Sequence, residues 1–340
     1  MTSPNYFGDA TVRAVRPAAR DVRLIEIEPM AGASSYPAGS HLDLSLHIGG
    51  LPDTRSYSIV GAGPADGAYR IAVKLLPNTR GGSRWIHDLA PGQSIRISQP
   101  RSNFALLHGR PDYLLVAGGI GITPLIGMAQ TLARHNRSFR LLYAGRERDQ
   151  MPFLDDLAEI CGDRLEVFAS AEGQRLDVSA AISALHPDGE AYVCGPLRLM
   201  DSLTAAWTAA GRPPARLRIE TFGASGRYPT AGFAVRVNDV DRDVEVSSTR
   251  TMLAALTDAG VDMMWDCLRG ECGLCTVTVL AHDQPLDHRD VFLSEDERAA
   301  GASLCACVSR ATGGSLTIDT GARPDPTRWR AAELRRDANS

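Results

Sequence analysis

The chain of 340 residues has almost no lysine: Lys74 is the one Lys among 36 basic residues. The basic residues do not outnumber the 40 acidic ones, and a net charge of −4 leaves no global basic footprint for nucleic acid. Long apolar runs are lacking too. The longest, Tyr113–Ala129, is broken by Gly118, Gly119, Gly121 and Pro124 and falls short of the ~20 residues a membrane span needs. Met1–Ala10 has no apolar core after a basic start, so no secretory signal is expected. Cysteines number seven, an odd count that argues against a disulfide framework in a chain without an export signal. These absences predict a soluble cytoplasmic protein that binds neither membrane nor nucleic acid.

What is present is unevenly spread. Hydrophobic residues make up 44% and charged residues 22%, enough to bury sizeable cores over two to three domains of ~150 residues. Residues 232–320 carry 15 acidic against 7 basic side chains, whereas residues 1–108 carry 11 basic against 8 acidic. An acidic module on a neutral-to-basic one suits electrostatic docking, and equally an ordinary solvated face.

Three rhythms follow one another. The first third holds short alternating or apolar runs at 11–15, 23–28, 41–47, 55–60, 69–75 and 94–98, separated by Gly and Pro turns, with one helical piece near 82–89. That spacing predicts an antiparallel barrel or sandwich. The middle third alternates runs at 113–117, 139–143, 165–168, 191–194 and 217–220 with helical segments near 124–134, 151–160, 178–185 and 197–210, which predicts a parallel sheet with helices on both faces. The last third opens with a period-2 strand at 233–237 and a strand at 244–246. A helix near 251–257, capped by Ser248 or Thr249, leads into a cysteine loop and strands at 276–280 and 316–318.

Cys267, Cys272 and Cys275 form a C-x4-C-x2-C loop with further cysteines, Cys305 and Cys307, about thirty residues on. Paired C-x2-C zinc knuckles are absent. The spacing is that of a plant-type [2Fe–2S] site, and Gly270 and Gly273 would let backbone amides wrap its sulfurs. Cys305 leaves the 29 intervening residues usual for plant ferredoxins, while Cys307 stands inside Cys-Val-Ser-Arg; one fourth ligand suffices, and spacing alone leaves both open.

Gly118-Gly119-Ile120-Gly121-Ile122-Thr123-Pro124 follows a buried strand and opens a helix, a geometry that aims amides at a pyrophosphate. Pro124 stands where the third Gly of a Rossmann fingerprint would be. Cys194-Gly195-Pro196 ends a later strand of the same sheet, where a thiol could flank a nicotinamide or fill a tight turn. Arg55-Ser56-Tyr57-Ser58 offers a cation for phosphate, a ring for a flavin face and a hydroxyl for a ring nitrogen. Arg80-Gly81-Gly82-Ser83 adds a second phosphate-like nest. His288-Arg289-Asp290 is kinase-like in isolation, but no Gly-rich kinase loop or Asp-Phe-Gly accompanies it, and a structural turn is expected.

In this order along one chain, with Ile71-Ala72-Val73-Lys74, Asp287–Asp290 and Cys307–Ala311 in support, the sequence resembles the phthalate dioxygenase reductase family of the ferredoxin–NADP reductase superfamily, from Thr11 to Asp319. The resemblance implies a multi-domain protein: an antiparallel β-barrel flavin domain (1–108), an α/β parallel-sheet NAD domain (109–223), a linker (224–231), an α+β β-grasp ferredoxin domain (232–320) and a polar tail (321–340). It implies FMN, NADH and a [2Fe–2S] cluster as cofactors. Arg55, Ser56, Tyr57, Ser58, Ala72, Val73, Lys74, Arg80, Gly81, Gly82 and Ser83 would hold FMN. Gly118, Gly119, Gly121, Thr123, Pro124, Cys194, Gly195 and Pro196 would hold NADH, and Cys267, Cys272, Cys275 and Cys307 the cluster. Ser58 near the flavin N5, Cys194 by the nicotinamide and Phe222 over the isoalloxazine would be the catalytic set. The expected activity passes electrons from NADH through FMN to the cluster and on to a terminal Rieske-type oxygenase that hydroxylates or demethylates an aromatic or similar compound, with the reductase a monomer. A cytochrome P450 or other iron oxygenase as acceptor, and a redox-sensing module without turnover, are the alternatives.

Overall fold

The computed structural model describes residues 7–48, 51–76, 81–222, 226 and 228–321. Arg80, residues 224, 225 and 227 of the expected linker and nearly all of the expected tail lie outside the described residues. The chain forms two compact units, Met1–Phe222 and Gly223–Ser340.

The first unit begins with an antiparallel barrel. Its strands are β1 (Phe7–Ala19), β2 (Val22–Pro29), β3 (His41–Ile48), β4 (Leu51–Ser58), β5 (Tyr69–Lys74) and β6 (Ser94–Ser98), with helix α1 (Gly82–His87) before β6. They run β4-β3-β6-β1-β2-β5, and an antiparallel bridge between Ile59 and Ile71 joins the two ends of the sheet. Alternation explains the closure: Val12, Ile25, Ile27, Leu42, Leu44, Leu46, Ile71 and Ile97 all point into one core.

A parallel sheet follows in the same unit: β7 (Tyr113–Gly118), β8 (Phe139–Gly145), β9 (Leu165–Ala169), β10 (Glu190–Cys194) and β11 (Leu217–Glu220). Helices α2 (Thr123–Arg134), α3 (Leu154–Cys161), α4 (Val178–Ser183) and α5 (Leu197–Ala209) connect them. Every residue of β7 is buried, as a central strand covered on both faces requires. The order β11-β10-β7-β8-β9 reverses direction between β7 and β10, and a crevice for ligands opens at the carboxyl ends of strands at such a switch point. Barrel and sheet meet closely. A Cβ on Gly127 of α2 would lie 2.4 Å from the Gly61 carbonyl oxygen, and Gln130 Oε1 accepts the Ala62 N–H at 2.9 Å.

The second unit is a mixed β-grasp sheet. It contains β12 (Phe233–Val237), β13 (Arg242–Val246), α6 (Met252–Asp258), β14 (Thr276–His282), β15 (Leu286–Asp287), α7 (Glu295–Ala300), β16 (Ser303–Cys305), β17 (Arg310–Ala311) and β18 (Ser315–Asp319). The main sheet runs β13-β12-β18-β14-β16, with β12 and β18 parallel. α6 is capped by Thr251, whose Oγ1 accepts the Ala254 N–H at 3.1 Å, and not by Ser248 or Thr249. The chain turns first, with Arg250 N–H donating to the Ser247 carbonyl and the Ser247 and Thr249 hydroxyls paired at 3.1 Å, so the helix starts later. Helix α7 was not expected, although Ser294-x-x-Glu297 writes a capping box that the structure forms in full. Among the described residues no helix is long and apolar enough to cross a membrane.

Candidate flavin, nucleotide and cluster sites

Three of the predicted motifs converge at the edge of the barrel. Arg55 on β4 is largely buried and pairs with Asp53, and a Cβ on Gly82 would lie 3.1 Å from its Nε. The nest ahead of α1 therefore sits against the Arg55 side chain. Gly81 takes φ 94°, a conformation that only glycine adopts easily, with Ile48 packed where a Cβ would go. Ser83 Oγ accepts the Leu76 N–H at 3.4 Å, and a ring nitrogen of His87 meets the Val73 carbonyl at 2.9 Å, tying α1 to the Ala72–Lys74 segment. Ser56 donates to Asp43 at 2.5 Å, and Tyr57 packs half-buried against the barrel core.

At the switch point the two predicted nucleotide loops touch backbone to backbone. A Cβ on Gly118 would lie 2.4 Å from Pro196 Cδ, and one on Gly121 would lie 2.2 Å from the Cys194 carbonyl oxygen. Gly195 in turn packs on the Gly118 Cα. Side chains at these positions would force the loops apart, so Gly-Gly-x-Gly and Cys-Gly-Pro form one surface at the carboxyl ends of β7 and β10. Gly119, at φ 55°, has no atom within 4 Å of its would-be Cβ and leaves room for a ligand. Pro124 occupies the first turn of α2, where no amide is needed, and the buried Thr123 hydroxyl closes the turn on the Ile120 carbonyl at 3.0 Å.

Barrel and sheet bring their own side chains together there. Ser58, at the end of β4, is buried and donates to Glu220 Oε2 at 3.4 Å. Glu220 is the register partner of Cys194 on the adjoining strand, and both are fully buried. Phe222, two residues beyond Glu220, is 36% exposed. Sequence reasoning named Ser58, Cys194 and Phe222 but not Glu220, which the structure brings to Ser58. The strand Leu-Arg-Ile-Glu carries a second charge at Arg218, so nothing local set Glu220 apart.

In the second unit the cysteine loop runs between α6 and β14 without regular structure. Cys267 Sγ accepts the N–H groups of Arg269 and Glu271, each at 3.4 Å. The Cys267, Cys272, Cys275 and Cys307 thiols lie close enough to perturb one another's ionisation, so the loop and the segment after β16 gather four sulfurs in one place. The Cys307 hydrogen bond, with backbone N–H groups, holds the Cys267 thiol down to about 4. Hydrogen bonds from Cys305 and Cys307 lower Cys275 to about 3. Cys307 neighbours both Cys267 and Cys275, whereas Cys305 neighbours Cys275 and lies 3.5 Å from Thr276 Oγ1. Gly270 and Gly273 both have φ 75°. A Cβ on Gly270 would strike Val308 and Asp290, and one on Gly273 would lie 2.2 Å from the Phe292 ring. Leu268 is held at φ 55°, unusual for a branched side chain. Among the described residues no group of His, Cys, Asp or Glu side chains is arranged to hold a lone metal ion; a binuclear cluster divides its four sulfurs over two irons. An all-thiol donor set with amides aimed at the sulfurs suits such a cluster.

The Asp287–Asp290 turn is more than a turn. Arg289 binds Asp287 through Nε at 2.7 Å and Nη2 at 2.6 Å. Asp290, fully buried, accepts from the Ser309 hydroxyl at 2.7 Å and the Leu293 N–H at 3.0 Å, while Val291 N–H donates to the Gly270 carbonyl. The network fastens the cysteine loop to the segment that carries Cys307.

Comparison with known proteins agrees with this division. Residues 10–106 match the family described as oxidoreductase FAD-binding domain, 115–204 the oxidoreductase NAD-binding domain, and 235–312 the 2Fe-2S iron-sulfur cluster binding domain. The phenoxybenzoate dioxygenase subunit beta of Ectopseudomonas oleovorans is 37% identical over 91% of this chain and 96% of its own. A solved phthalate dioxygenase reductase, described as modular for electron transfer from pyridine nucleotides to [2Fe-2S], superposes with a TM-score of 0.74 at 30% identity, covering 92% of this chain and 98% of its own. The chain belongs to the phthalate dioxygenase reductase family. As a family member it is an oxidoreductase with flavin-, NAD- and [2Fe–2S]-binding domains. An intact type IV self-sufficient cytochrome P450 monooxygenase also matches, at 36% identity and a TM-score of 0.64 over 92% of this chain. This chain spans 41% of that longer protein.

Proposed function

We propose that this chain is the NADH-dependent reductase component of a Rieske-type oxygenase system, with domains at 1–108, 109–223 and 232–320. The observation that carries the reading is the meeting of Ser58 from the barrel with Cys194 and Glu220 at the end of the parallel sheet. Bound in these sites, FMN would supply the conversion of the two-electron donor NADH into single-electron transfers, and a plant-type cluster, near about −400 mV, would supply the relay to the oxygenase.

The residues supply binding and placement. Arg55, with Arg80 and Gly81–Ser83, holds the flavin phosphate, and Ala72–Lys74 with Ser56 and Tyr57 lines the flavin. Ser58 donates its hydroxyl hydrogen bond beside the reacting ring, with the Glu220 carboxylate fixing its rotamer. Gly118, Gly119, Gly121, Thr123 and Pro124 present the start of α2 to the pyrophosphate. Cys194, Gly195 and Pro196 border the nicotinamide, and Phe222 shields the flavin face from water. Cys267, Cys272, Cys275 and Cys307 ligate the cluster. NADH is favoured over NADPH because Glu172 holds Arg148 at 3.0 Å and the Glu147 carboxylate lies 3.7 Å from the exposed Arg146. The protein works as a cytoplasmic monomer that docks its oxygenase through the acidic β-grasp module.

Anaerobic addition of NADH to the purified protein, with acid-released flavin identified, tests the reading. Flavin and ferredoxin-type bands that bleach together support it; a colourless or cluster-free protein refutes it. A second reading, delivery of electrons to a P450 haem, is supported by the likeness to the self-sufficient monooxygenase. NADH turnover coupled to a purified Rieske oxygenase but not to a P450 decides for the first.

A further inference from the structure

A cleft of about 480 Å³ opens on the first unit between the barrel and the nucleotide-binding sheet, beside the Gly61–Gly127 contact. The loop 62–65 and Arg70 of β5 form one wall; Gln130, Ala133 and Arg134 of α2 with Ile160 of α3 form the other. None of these residues belongs to the flavin, nucleotide or cluster motifs, and among the described residues no acidic side chain lines the cleft. Arg70 Nη2 and Gln130 Oε1 both lie 3.6 Å from the position a Gly61 Cβ would take, so barrel and helix bring these side chains to one point. The Ala62 N–H donates to Gln130 Oε1 at 2.9 Å, which leaves the amide only its own N–H groups to offer. Arg134 gives its Nε to the Gln130 carbonyl at 3.4 Å and keeps its Nη groups. Among the described residues neither arginine has a carboxylate partner: Glu26, opposite Arg70 on β2, is taken by Arg13 at 3.1 Å and Arg16 at 3.8 Å. The helix dipole accounts for Arg134 in the last turn of α2, but not for Arg70 on a barrel strand.

We propose that this cleft binds an organic anion of the phosphate monoester class, and that the bound anion ties the barrel to α2. Two guanidinium groups and an amide offer N–H donors without a competing acceptor, which suits the doubly charged head and three terminal oxygens of such an ester. Pro64, Ala133 and Ile160 add an apolar lining that inorganic phosphate would leave unused, and the volume lies in the ~300–1,000 Å³ range of small-molecule sites. The phosphate accepts from Arg70 on the barrel and Arg134 on the helix together, beside a junction that is otherwise bare backbone against bare backbone.

The test is calorimetric titration of the purified full-length protein with phenyl phosphate and with inorganic phosphate, in excess NAD⁺ so that the nucleotide loops are filled. Phenyl phosphate is expected to bind once per chain, more tightly than inorganic phosphate, and to raise the midpoint of thermal denaturation. Arg70→Gln and Arg134→Gln should each weaken it about tenfold or more, the loss of a charge-assisted hydrogen bond. Flavin content and flavin reduction by NADH without the probe should stay at wild-type values in both variants, which shows that they fold. Unchanged affinity in both variants puts the probe elsewhere and overturns the proposal, as does no binding of phenyl phosphate at millimolar concentration. Inorganic phosphate bound as tightly as the phenyl ester overturns the organic ligand. Affinity lost in Arg134→Gln but kept in Arg70→Gln leaves the barrel out and overturns the tie.

Discussion

Ser58 Oγ and Glu220 Oε2 lie 3.4 Å apart although 162 residues separate them, one on the barrel and the other on the last strand of the parallel sheet. The pair exists only when the barrel and the sheet are docked, so it reports on the assembled site. Ser58→Ala and Glu220→Gln should each slow flavin reduction at saturating NADH at least about tenfold, or ~1.4 kcal/mol of transition-state stabilisation. Flavin content should be unchanged. Stopped-flow reduction checks this, and a wild-type rate in both variants would remove the pair from the mechanism.

Arg55 is half-buried beside the Gly82 backbone with Asp53 as its carboxylate partner. Arg55→Ala should weaken flavin binding by ~1.5–3 kcal/mol, the range of a hydrogen bond to a charged group, or roughly ten- to a hundredfold in Kd. Fluorescence titration of the apoprotein measures it. Arg55→Lys should recover only part, because an ammonium cannot reproduce the guanidinium fork.

Gly121 is separated from Cys194 by less than a methyl group needs. Gly121→Ala should cost ~1–3 kcal/mol of stability by overpacking and raise KM for NADH while the flavin stays bound. Gly119 has open space around it, but its φ of 55° should make Gly119→Ala destabilising by ~1 kcal/mol through backbone strain alone. Thermal denaturation together with steady-state kinetics separates the two.

Asp290 is buried, and burial raises its pKa. The nearby His288 ring, 3.7 Å away, and hydrogen bonds from the Leu293 N–H and the Ser309 hydroxyl outweigh that and hold it below the usual value of 3.8. The sign follows: a carboxyl whose folded pKa is depressed contributes stability that is complete above the unfolded value and fades as pH falls through the folded one. Stability of the second unit should therefore drop below about pH 4. Asp290→Asn should flatten that drop and destabilise the unit at neutral pH, with earlier loss of the visible cluster bands on heating.

The residues say why some of this was legible in advance. Strand positions in the barrel and sheet follow from period-2 alternation and from the unbroken apolar run at Tyr113, since burial on one face or two writes itself into the pattern. The cysteine loop and the Gly-rich turn were legible because ligand spacing and close backbone approach tolerate few residue types. Glu220 was not, because its meaning comes from a partner 162 residues away. The short strands β15 and β17 were missed because two residues carry no period. The capping box of α7 was present and passed over, since the helix it opens buries no side chain. The motif at 287–290 looked like a turn because its hydrogen bonds run to Ser309, far along the chain.

The contact of the Gly61 carbonyl with Gly127 has a consequence for distance. Two bare backbones touching leave no soft side chain to compress, so the contact acts as a ruler between the barrel and the helix that opens at the nucleotide loops. A single added methyl at residue 127 would lengthen that ruler. Transfer of a hydride needs reacting atoms held within about 3–3.5 Å, and a misplacement of ~1 Å from a remote site can cost a hundredfold in rate. A residue that touches neither cofactor would thereby set how fast one can reduce the other.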